Sequence, residues 1–222
     1  MIRNNAGGGG SYFRRFREKR LQLLLKLLET IDQPEISILD AGGTVVFWKD
    51  AALDFNRKVR IAILNTMRQE SGDDNIVSVV GDARDMRAFK DNQFDVVFSN
   101  SVIEHVGTYE DQRKMAREIR RVGRNYFIQT PNYYFPIEAH FLFPLFHFMP
   151  MRVKIFLLMH FNLGYYKKVR SRDDALKAIQ EIRLLRMNEL KELFPDSIIL
   201  KEKLFGFTKS IMIYRFEHEQ AL

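Results

Sequence analysis

Side chains able to bind a ligand follow four predicted strands, each at the point where the strand ends. Short apolar, β-branched runs are typical of buried strands, and the segments that follow them are residues 40–44, Asn65, 81–85 and 100–105. In a parallel sheet the carboxyl ends of the strands share one edge, so these segments converge on one crevice. Paired glycines in the first segment free the backbone to take positive φ and to approach a ligand closely. A strand, an acid, a glycine turn and a helix together predict a nucleotide or nucleoside pocket.

Acid–base chemistry could come from His105, Glu138 and His140. Glu138 and His140 follow the fifth predicted strand, where the sheet edge opens on the crevice again, and such a pair can act as general base for a hydroxyl or amine. The alternative for this pair is hydrogen bonding within a proline-braced loop. His105 is placed either to touch the substrate or to support the loop. Histidine and glutamate are metal-ligand types, but no ligand spacing supports a metal centre, and none is expected.

A mostly parallel α/β sheet would position these residues. The predicted strands are residues 36–39, 58–65, 76–80, 94–99, 125–129, 197–204 and 210–216, and the predicted helices are 11–31, 45–56, 109–121 and 187–194. Only ten residues separate the second and third strands, too few for a full crossover, so that helix is expected to be short or missing. The five-residue loop 205–209 forces the last two strands to pair antiparallel. The sequence therefore predicts an α/β fold whose parallel sheet ends in an antiparallel C-terminal hairpin.

Composition narrows the class of protein. A chain of 222 residues predicts a single domain with a substantial core. It contains no cysteine, which excludes disulfides, thiolate metal sites and cysteine nucleophiles. No secretory pattern and no long apolar run occur, so we expect a cytoplasmic protein.

The net charge of +7 is concentrated at the start of the chain. Residues 1–35 are predicted to form a basic tether and helix. Such a segment is either a solvated helix face or a contact for the phosphates of nucleic acid or of a lipid surface.

An aromatic segment follows the fifth strand. Residues 131–172 are predicted to form an insertion or lid, and between Ala139 and Arg172 the sequence has many Phe and Tyr residues and several cations but no acid. One interpretation is a helical lid that buries Phe143, Phe146 and Phe156. The other is a surface patch for an anionic membrane, or a pocket for a lipophilic substrate.

Several of these motifs, in the same order, resemble the class I S-adenosylmethionine-dependent methyltransferases, in particular the small "type 11" branch. The matching segments are 38–43, 81–83, 94–106 and 188–194. The resemblance implies a Rossmann-like fold with S-adenosyl-L-methionine as cofactor. It assigns cofactor binding to Asp40, Ala41, Gly42, Gly43, Thr44, Asn65, Asp82, Ala83, Asn100, Ser101 and Val102. By the resemblance, Asp40 and the glycine backbone would hold the methionine end, Asp82 the adenine amino group, and 100–102 the region near the sulfonium.

Two residues depart from the family pattern. Thr44 stands where a third glycine is usual, and Asn65 stands where an acid usually binds the ribose hydroxyls. An amide lacks the charge-assisted bidentate grip of a carboxylate. The expected activity is methyl transfer to an oxygen or nitrogen of a small acceptor, lipophilic ones included. The alternatives are methylation of RNA, which the basic N-terminal segment favours, and a non-catalytic module that binds S-adenosylmethionine.

Overall fold

The computed structural model describes residues 11–51 and 55–217, with side chains from residue 15 onward. The strands are β1 (Glu35–Ala41), β2 (Lys58–Asn65), β3 (Ile76–Val80), β4 (Phe94–Asn100), β5 (Gly123–Pro131), β6 (Ile198–Leu204) and β7 (Phe207–Arg215). The helices are α1 (Ser11–Glu29), α2 (Val45–Ala51), α3 (Tyr109–Val122), α4 (Met151–His160), α5 (Arg172–Gln180) and α6 (Met187–Leu193).

The described strands form one sheet in the order β3-β2-β1-β4-β5-β7-β6. Strands β1 to β5 pair parallel, whereas β7 runs antiparallel to both β5 and β6. The predicted fold class is thereby confirmed. The closing hairpin is tighter than expected, because β7 already begins at Phe207 and only two residues form the turn. Phe205 and Gly206 both have positive φ, as the type I′ two-residue hairpin turn requires.

The connection between β2 and β3 contains no helix within residues 66–75, as the short spacing predicted. Helix α2 ends at Ala51; the predicted helix continued to residue 56, and residues 52–54 lie outside the described part of the chain. The strand order reverses between β1 and β4, so the connections that follow these two strands leave in opposite directions. This leaves a crevice outside their carboxyl ends, where open α/β sheets bind ligands.

Both faces of the sheet are covered by helices. On one face α3 and α6 bury Met115, Ile119 and Leu190 against β4 and β5. On the other face α1 packs Leu24 and Leu28 with Ile38 of β1 and Phe98 of β4. The basic N-terminal helix is therefore part of the hydrophobic core, and not only a solvated surface. Residues 1–10, which include the predicted tether and Arg3, and the side chain of Arg14 lie outside the described part of the chain.

The segment after β5 builds a small core of its own. Phe141 and Phe146 pack with Ile155 and Leu158 of α4 and with Ala175 and Ile179 of α5. The packed unit thus extends beyond the predicted insertion at 131–172 and includes α5. Of the three rings that a lid was expected to bury, Phe146 is buried and Phe143 partly so, but Phe156 is 53% exposed. Among the described helices, none has the length and apolar character needed to cross a membrane.

Candidate functional site

A cleft of about 310 Å³ opens at the carboxyl ends of β1, β2 and β3. Among the residues predicted to bind a ligand, those that line it are Gly42, Asn65, Asp82, Ala83, Val102 and His105. The lining residues to which the prediction gave no individual role are Leu64, Thr66, Gly81, Arg84 and Val106, of which Gly81 and Arg84 lie in the predicted segment 81–85. Three strand ends and the loop after β4 therefore meet at one place, as the parallel topology predicted.

The glycine turn closes tightly against its neighbours. Gly42 has φ +87°, and a Cβ on it would lie 2.3 Å from a methyl carbon of Val102. A Cβ on Gly43 would lie 1.7 Å from the carboxylate of Asp40. Neither position has room for a side chain, and the first also needs a backbone conformation that glycine adopts without strain. The two glycines are thus required by the shape of the turn.

The buried carboxylate of Asp40 packs against the glycine turn. Its side chain is buried, and the indole Nε1 of Trp48 donates to Oδ2 over 2.7 Å. The other oxygen is buried and has no hydrogen-bond partner among the described residues. Burial raises the pKa of Asp40 to about 7, although the Trp48 hydrogen bond lowers it. Asp40 does not line the cleft, so the geometry favours support of the turn over the direct contact with a ligand that the resemblance implied.

The residues on either side of the glycines also have structural contacts. The carbonyl of Ala41 accepts the Ser99 hydroxyl over 2.9 Å. Thr44 precedes α2, and its hydroxyl accepts the Phe47 N–H over 3.3 Å, which is the role of an N-cap. The departure from a third glycine therefore stabilises the start of α2.

Asn65 and Gln69 hold the carbonyl of Gly43. The Asn65 amide donates to this oxygen over 2.9 Å, and the Gln69 amide donates to it over 3.1 Å. The Gln69 carbonyl oxygen in turn accepts the Val45 N–H over 2.9 Å. Sequence reasoning missed Gln69, because it lies in an irregular connection where no periodicity marks it. The Asn65 amide thus shapes the turn in addition to facing the cleft.

Asp82 is paired with Arg84, a residue of the predicted segment 81–85 to which the prediction gave no role of its own. Arg84 donates from Nε and Nη2 to the Asp82 carboxylate at 2.6–3.0 Å, and these hydrogen bonds hold the pKa of Asp82 below its usual range against a smaller effect of burial. Arg84 also donates to the Val106 carbonyl over 3.2 Å. The carboxylate is therefore held ionised at the cleft, ready to accept a hydrogen bond.

The end of β4 is fixed by two distant elements. Arg20 of α1 donates to Asn100 over 2.8 Å and to buried Glu202 of β6 over 2.9 Å. Ser101 has φ +55°, and its hydroxyl donates to Gln129 over 2.8 Å. Asn100 and Ser101 thus shape the loop that presents Val102 and His105 to the cleft.

A cluster of two histidines and two glutamates lies beside the cleft. The rings of His105 and His140 meet with centroids 4.7 Å apart. Glu138 is buried; its Oε1 lies 2.8 Å from Nδ1 of His140, and its Oε2 accepts the N–H groups of His140 and Phe141. Glu104, which lies in the predicted segment 100–105 but was given no acid–base role, is fully buried, and its Oε1 lies 4.0 Å from Nε2 of His140. The fold thus brings together the three predicted acid–base residues and adds a carboxylate.

The two histidines have opposite electrostatic environments. Burial lowers the pKa of His105, and the charge of Glu104 only partly offsets it. Burial also acts on His140, but its hydrogen bond to Glu138 outweighs this and raises the pKa of His140. Glu138 responds in the reciprocal sense: burial raises its pKa, and the hydrogen bond to His140 lowers it below the usual range.

A second cavity of about 310 Å³ adjoins the cluster on the side of the helical insertion. Glu138 contributes to its wall together with Tyr133, Phe141 and Phe146, and Arg183 and Arg186 lie at its border. The guanidinium of Arg186 lies over the Tyr133 ring at 4.8 Å. Since His105 lines the cleft and Glu138 lines the second cavity, the chain His105–His140–Glu138 connects the two spaces.

Comparisons with known proteins agree with this geometry. Residues 39–126 match a family model described as a methyltransferase domain. This segment contains the glycine turn, Asp82 and the loop after β4. Over 56 residues the chain is 36% identical to uncharacterized proteins from two strains of Mycobacterium tuberculosis; the match covers 25% of this chain and only 19% of the relatives' length.

Solved structures share the fold over nearly the whole chain. A geranyl diphosphate methyltransferase in complex with SAM superposes with a TM-score of 0.57 at 14% identity, covering 94% of this chain and 91% of the other. The PH0226 protein of Pyrococcus horikoshii OT3 gives a TM-score of 0.55 at 15% identity, covering 93% and 92%. At such identities the likeness establishes the architecture, and the chemistry must be argued from the residues of this chain.

Proposed function

We propose that this chain, which carries a methyltransferase domain on a class I methyltransferase fold, transfers a methyl group from S-adenosylmethionine to an oxygen or nitrogen of a small acceptor. The observation that carries the proposal is the cleft at the strand ends, which lies within the matched residues 39–126 and shares His105 with the histidine–glutamate cluster.

The residues of the cleft fit a nucleoside. Asp82 offers an ionised carboxylate for an amino group, and Asn65 presents an amide at the cleft while it holds the turn. Backbone at Gly42 and Gly81 comes close to the ligand space because neither residue has a side chain. A volume of about 310 Å³ lies at the lower end of the range for small-molecule sites. We assign the adenosine portion of the cofactor to this cleft, with Asp82 and Ala83 next to the adenine ring.

S-adenosylmethionine supplies a methyl group on a positively charged sulfur, so the protein's main tasks are proximity and orientation. A hydroxyl or amine acceptor must also lose a proton. His105, Glu138 and His140 lie between the cofactor cleft and the second cavity, where they can assist that loss. Their position supports the catalytic assignment made from the sequence.

The second cavity supports a lipophilic acceptor. Its apolar wall is formed by Phe141, Phe146, Ile179 and Ile182, and its polar lining includes Glu138, His147, Lys154, Arg183, Arg186 and Glu189. Small-molecule sites commonly combine an apolar wall with a few polar groups that fix orientation. The acceptor's body would lie against the aromatic rings, with its reactive atom toward the cluster.

Titration calorimetry and a transfer screen test the proposal. Tag-free protein would be titrated with S-adenosylmethionine and S-adenosylhomocysteine, then incubated with methyl-labelled S-adenosylmethionine and separate phenol, lipid, sugar and RNA fractions. Cofactor binding with label in a small-molecule fraction is expected. Label in RNA alone would favour the RNA alternative, binding without transfer would favour a non-catalytic module, and absence of binding would refute all three.

We further propose that the insertion contacts an anionic membrane surface. Phe156 of α4 and Phe161 are each more than half exposed, and the exposed Lys167 and Lys168 follow closely in sequence. Exposed aromatic rings near cations are suited to the boundary of an anionic bilayer. A membrane-bound acceptor could then enter the second cavity, which the same insertion lines.

A further inference from the structure

We propose that Glu104, His105 and His140 bind a divalent cation such as Zn²⁺. The three residues each offer one ligand atom, and these atoms lie within 4.8 Å of one another. Two imidazoles and one carboxylate, with a further position open, are a donor set found in catalytic zinc sites. The cation's role in catalysis rests on the proposed function, but its binding does not.

The distances are close to those of a metal site. Ligands at about 2.0–2.2 Å from a tetrahedral zinc ion lie about 3.3–3.5 Å from one another. Nε2 of His140 and Oε1 of Glu104 are 4.0 Å apart. This separation is too long for a hydrogen bond, yet a small side-chain rotation would bring both atoms onto one ion. The gap is thus better suited to a cation between the two groups than to direct contact.

Unpartnered ligand atoms point to the same ion. Glu104 has no exposed surface, and Thr130 donates to its Oε2 over 3.0 Å, whereas Oε1 is buried without a hydrogen bond among the described residues. Nδ1 of His105 is likewise buried and unpartnered there. A buried carboxylate needs a counter-charge or several hydrogen bonds to offset its lost hydration. A divalent cation would meet both needs at once.

Glu138 is placed as the outer partner of such a site. Its carboxylate contacts Nδ1 of His140, which leaves Nε2 facing Glu104 and His105. A carboxylate on the far nitrogen fixes the tautomer of a ligating histidine and raises its basicity. The predicted Glu138–His140 pair is therefore explained as one ligand and its support.

The backbone around the ligands is held by other elements. Glu104 and His105 lie in a short 3₁₀ turn, Ile103–His105, after β4. The N–H of Arg183 donates to the Glu104 carbonyl over 2.8 Å, and Gln112 donates to the Ile103 carbonyl over 2.9 Å. Fixed backbone positions favour a metal site, because the ligands need little ordering when the ion binds. Sequence spacing could not reveal the site, since His140 comes from a different loop.

The cation would act on the acceptor at its open position. An acceptor hydroxyl bound there would lose its proton more readily, because a metal ion stabilises the resulting oxyanion. In the transfer, that oxygen forms a bond to the methyl carbon, the carbon–sulfur bond breaks with its electrons on sulfur, and the acceptor's proton passes to water. We therefore infer that the preferred acceptor is a hydroxyl compound.

Metal analysis tests the site directly. Tag-free protein would be dialysed against a chelator, freed of it, loaded with Zn²⁺, Mn²⁺ or Mg²⁺, and measured by titration calorimetry and elemental analysis without cofactor. We expect one equivalent of Zn²⁺ per chain. Glu104→Gln and His140→Gln should weaken binding by at least about 100-fold, and Glu138→Gln by about 10–100-fold. His160→Gln is the matched control, because this exposed histidine contacts its neighbours Phe156 and Phe161 and is not part of the cluster.

Each outcome decides the proposal. If Glu104→Gln fails to fold by circular dichroism, His105→Gln reports on the same three ligands. Absence of bound metal in the parent, or equal affinity in all variants, would overturn the site. Metal binding in a protein that does not bind S-adenosylmethionine would keep the site and refute the proposed function, and the reverse result would refute the site alone.

Discussion

His105 and His140 meet edge to face, with ring centroids 4.7 Å apart and ring planes at 89°. One follows β4 and the other follows β5, so the contact joins the loops of two neighbouring strands at the carboxyl edge of the sheet. His105 lines the cleft, and His140 is hydrogen-bonded to Glu138 in the wall of the second cavity. Cofactor binding and assistance to proton removal can therefore be tested by separate mutations.

His140→Ala should lower the rate of transfer and leave cofactor binding almost unchanged. His140 belongs to the histidine–glutamate cluster and does not line the cofactor cleft, so we expect the dissociation constant of S-adenosylmethionine to stay within about threefold. Loss of a group that assists proton removal costs about 10²–10⁴-fold in rate. Calorimetry and single-turnover transfer would be compared with those of His160→Ala. Equal loss of binding and rate would show that His140 acts on the cofactor site as a whole.

Asp82→Ala should weaken binding of S-adenosylmethionine by about 1–3 kcal/mol without unfolding the protein. The carboxylate lines the cleft and is kept ionised by Arg84. Asp85→Ala is a matched control, because Asp85 makes the same kind of contact two residues on, with Arg87, but lies outside the lining of the cofactor cleft. Unchanged affinity in folded Asp82→Ala, or equal losses in both variants, would remove adenine recognition from Asp82.

Asn65→Asp should weaken cofactor binding, although the family resemblance leads one to expect an acid at this position. The Asn65 amide donates to the Gly43 carbonyl, and a carboxylate would place an acceptor against that oxygen. Losing this hydrogen bond should cost about 1 kcal/mol. Asn75→Asp, the same change at an exposed position before β3, controls for the added charge. Calorimetry decides: tighter binding by Asn65→Asp would show that grip on the ribose outweighs support of the turn.

The contacts of Asn65 show how far the sequence could lead. The strands and the glycine turn were predictable, because alternation, apolar runs and paired glycines are local signals. Gln69 and Glu104 were not, since their roles depend on how irregular loops fold back on the strands. Helix α4 escaped prediction for a different reason. It buries Ile155 and Leu158 but exposes Phe156 and Met151, so its apolar residues do not follow one helical stripe.

Asp40→Asn should change the pH dependence of stability. Burial raises the pKa of Asp40 to about 7, from 3.8 for an unperturbed aspartate. Between these values the native state holds more protons than the unfolded state, so this group's contribution to the free energy of unfolding falls as pH rises from about 4 to about 7, and then levels off. Asparagine resembles the protonated acid and can still accept the Trp48 hydrogen bond.

The measurement is urea unfolding at intervals from pH 4.5 to 8. We expect the stability of Asp40→Asn relative to the parent to increase with pH across this window and to become constant above about pH 8. Asp50→Asn removes a carboxylate from an exposed position on α2 and controls for net charge. Parallel curves for Asp40→Asn and the parent would mean that Asp40 does not titrate in this range in the folded protein.

Binding to anionic vesicles should depend on both the cations and the exposed rings of the insertion. Each basic residue near an anionic surface adds about 1 kcal/mol, and salt screens this attraction. Lys167→Glu with Lys168→Glu should therefore release the protein from vesicles at low salt. Lys201→Glu with Lys203→Glu, the same change at exposed positions on β6, should not.

The exposed rings are tested separately. Phe156→Ser should weaken binding, whereas Phe205→Ser should not, although Phe205 is 84% exposed at the hairpin turn. Co-sedimentation with anionic and neutral vesicles at low and high salt measures all four variants. If the parent protein stays in the supernatant with anionic vesicles at low salt, the membrane proposal is wrong. If both lysine double variants are released equally, net charge attracts the protein and no defined surface is involved.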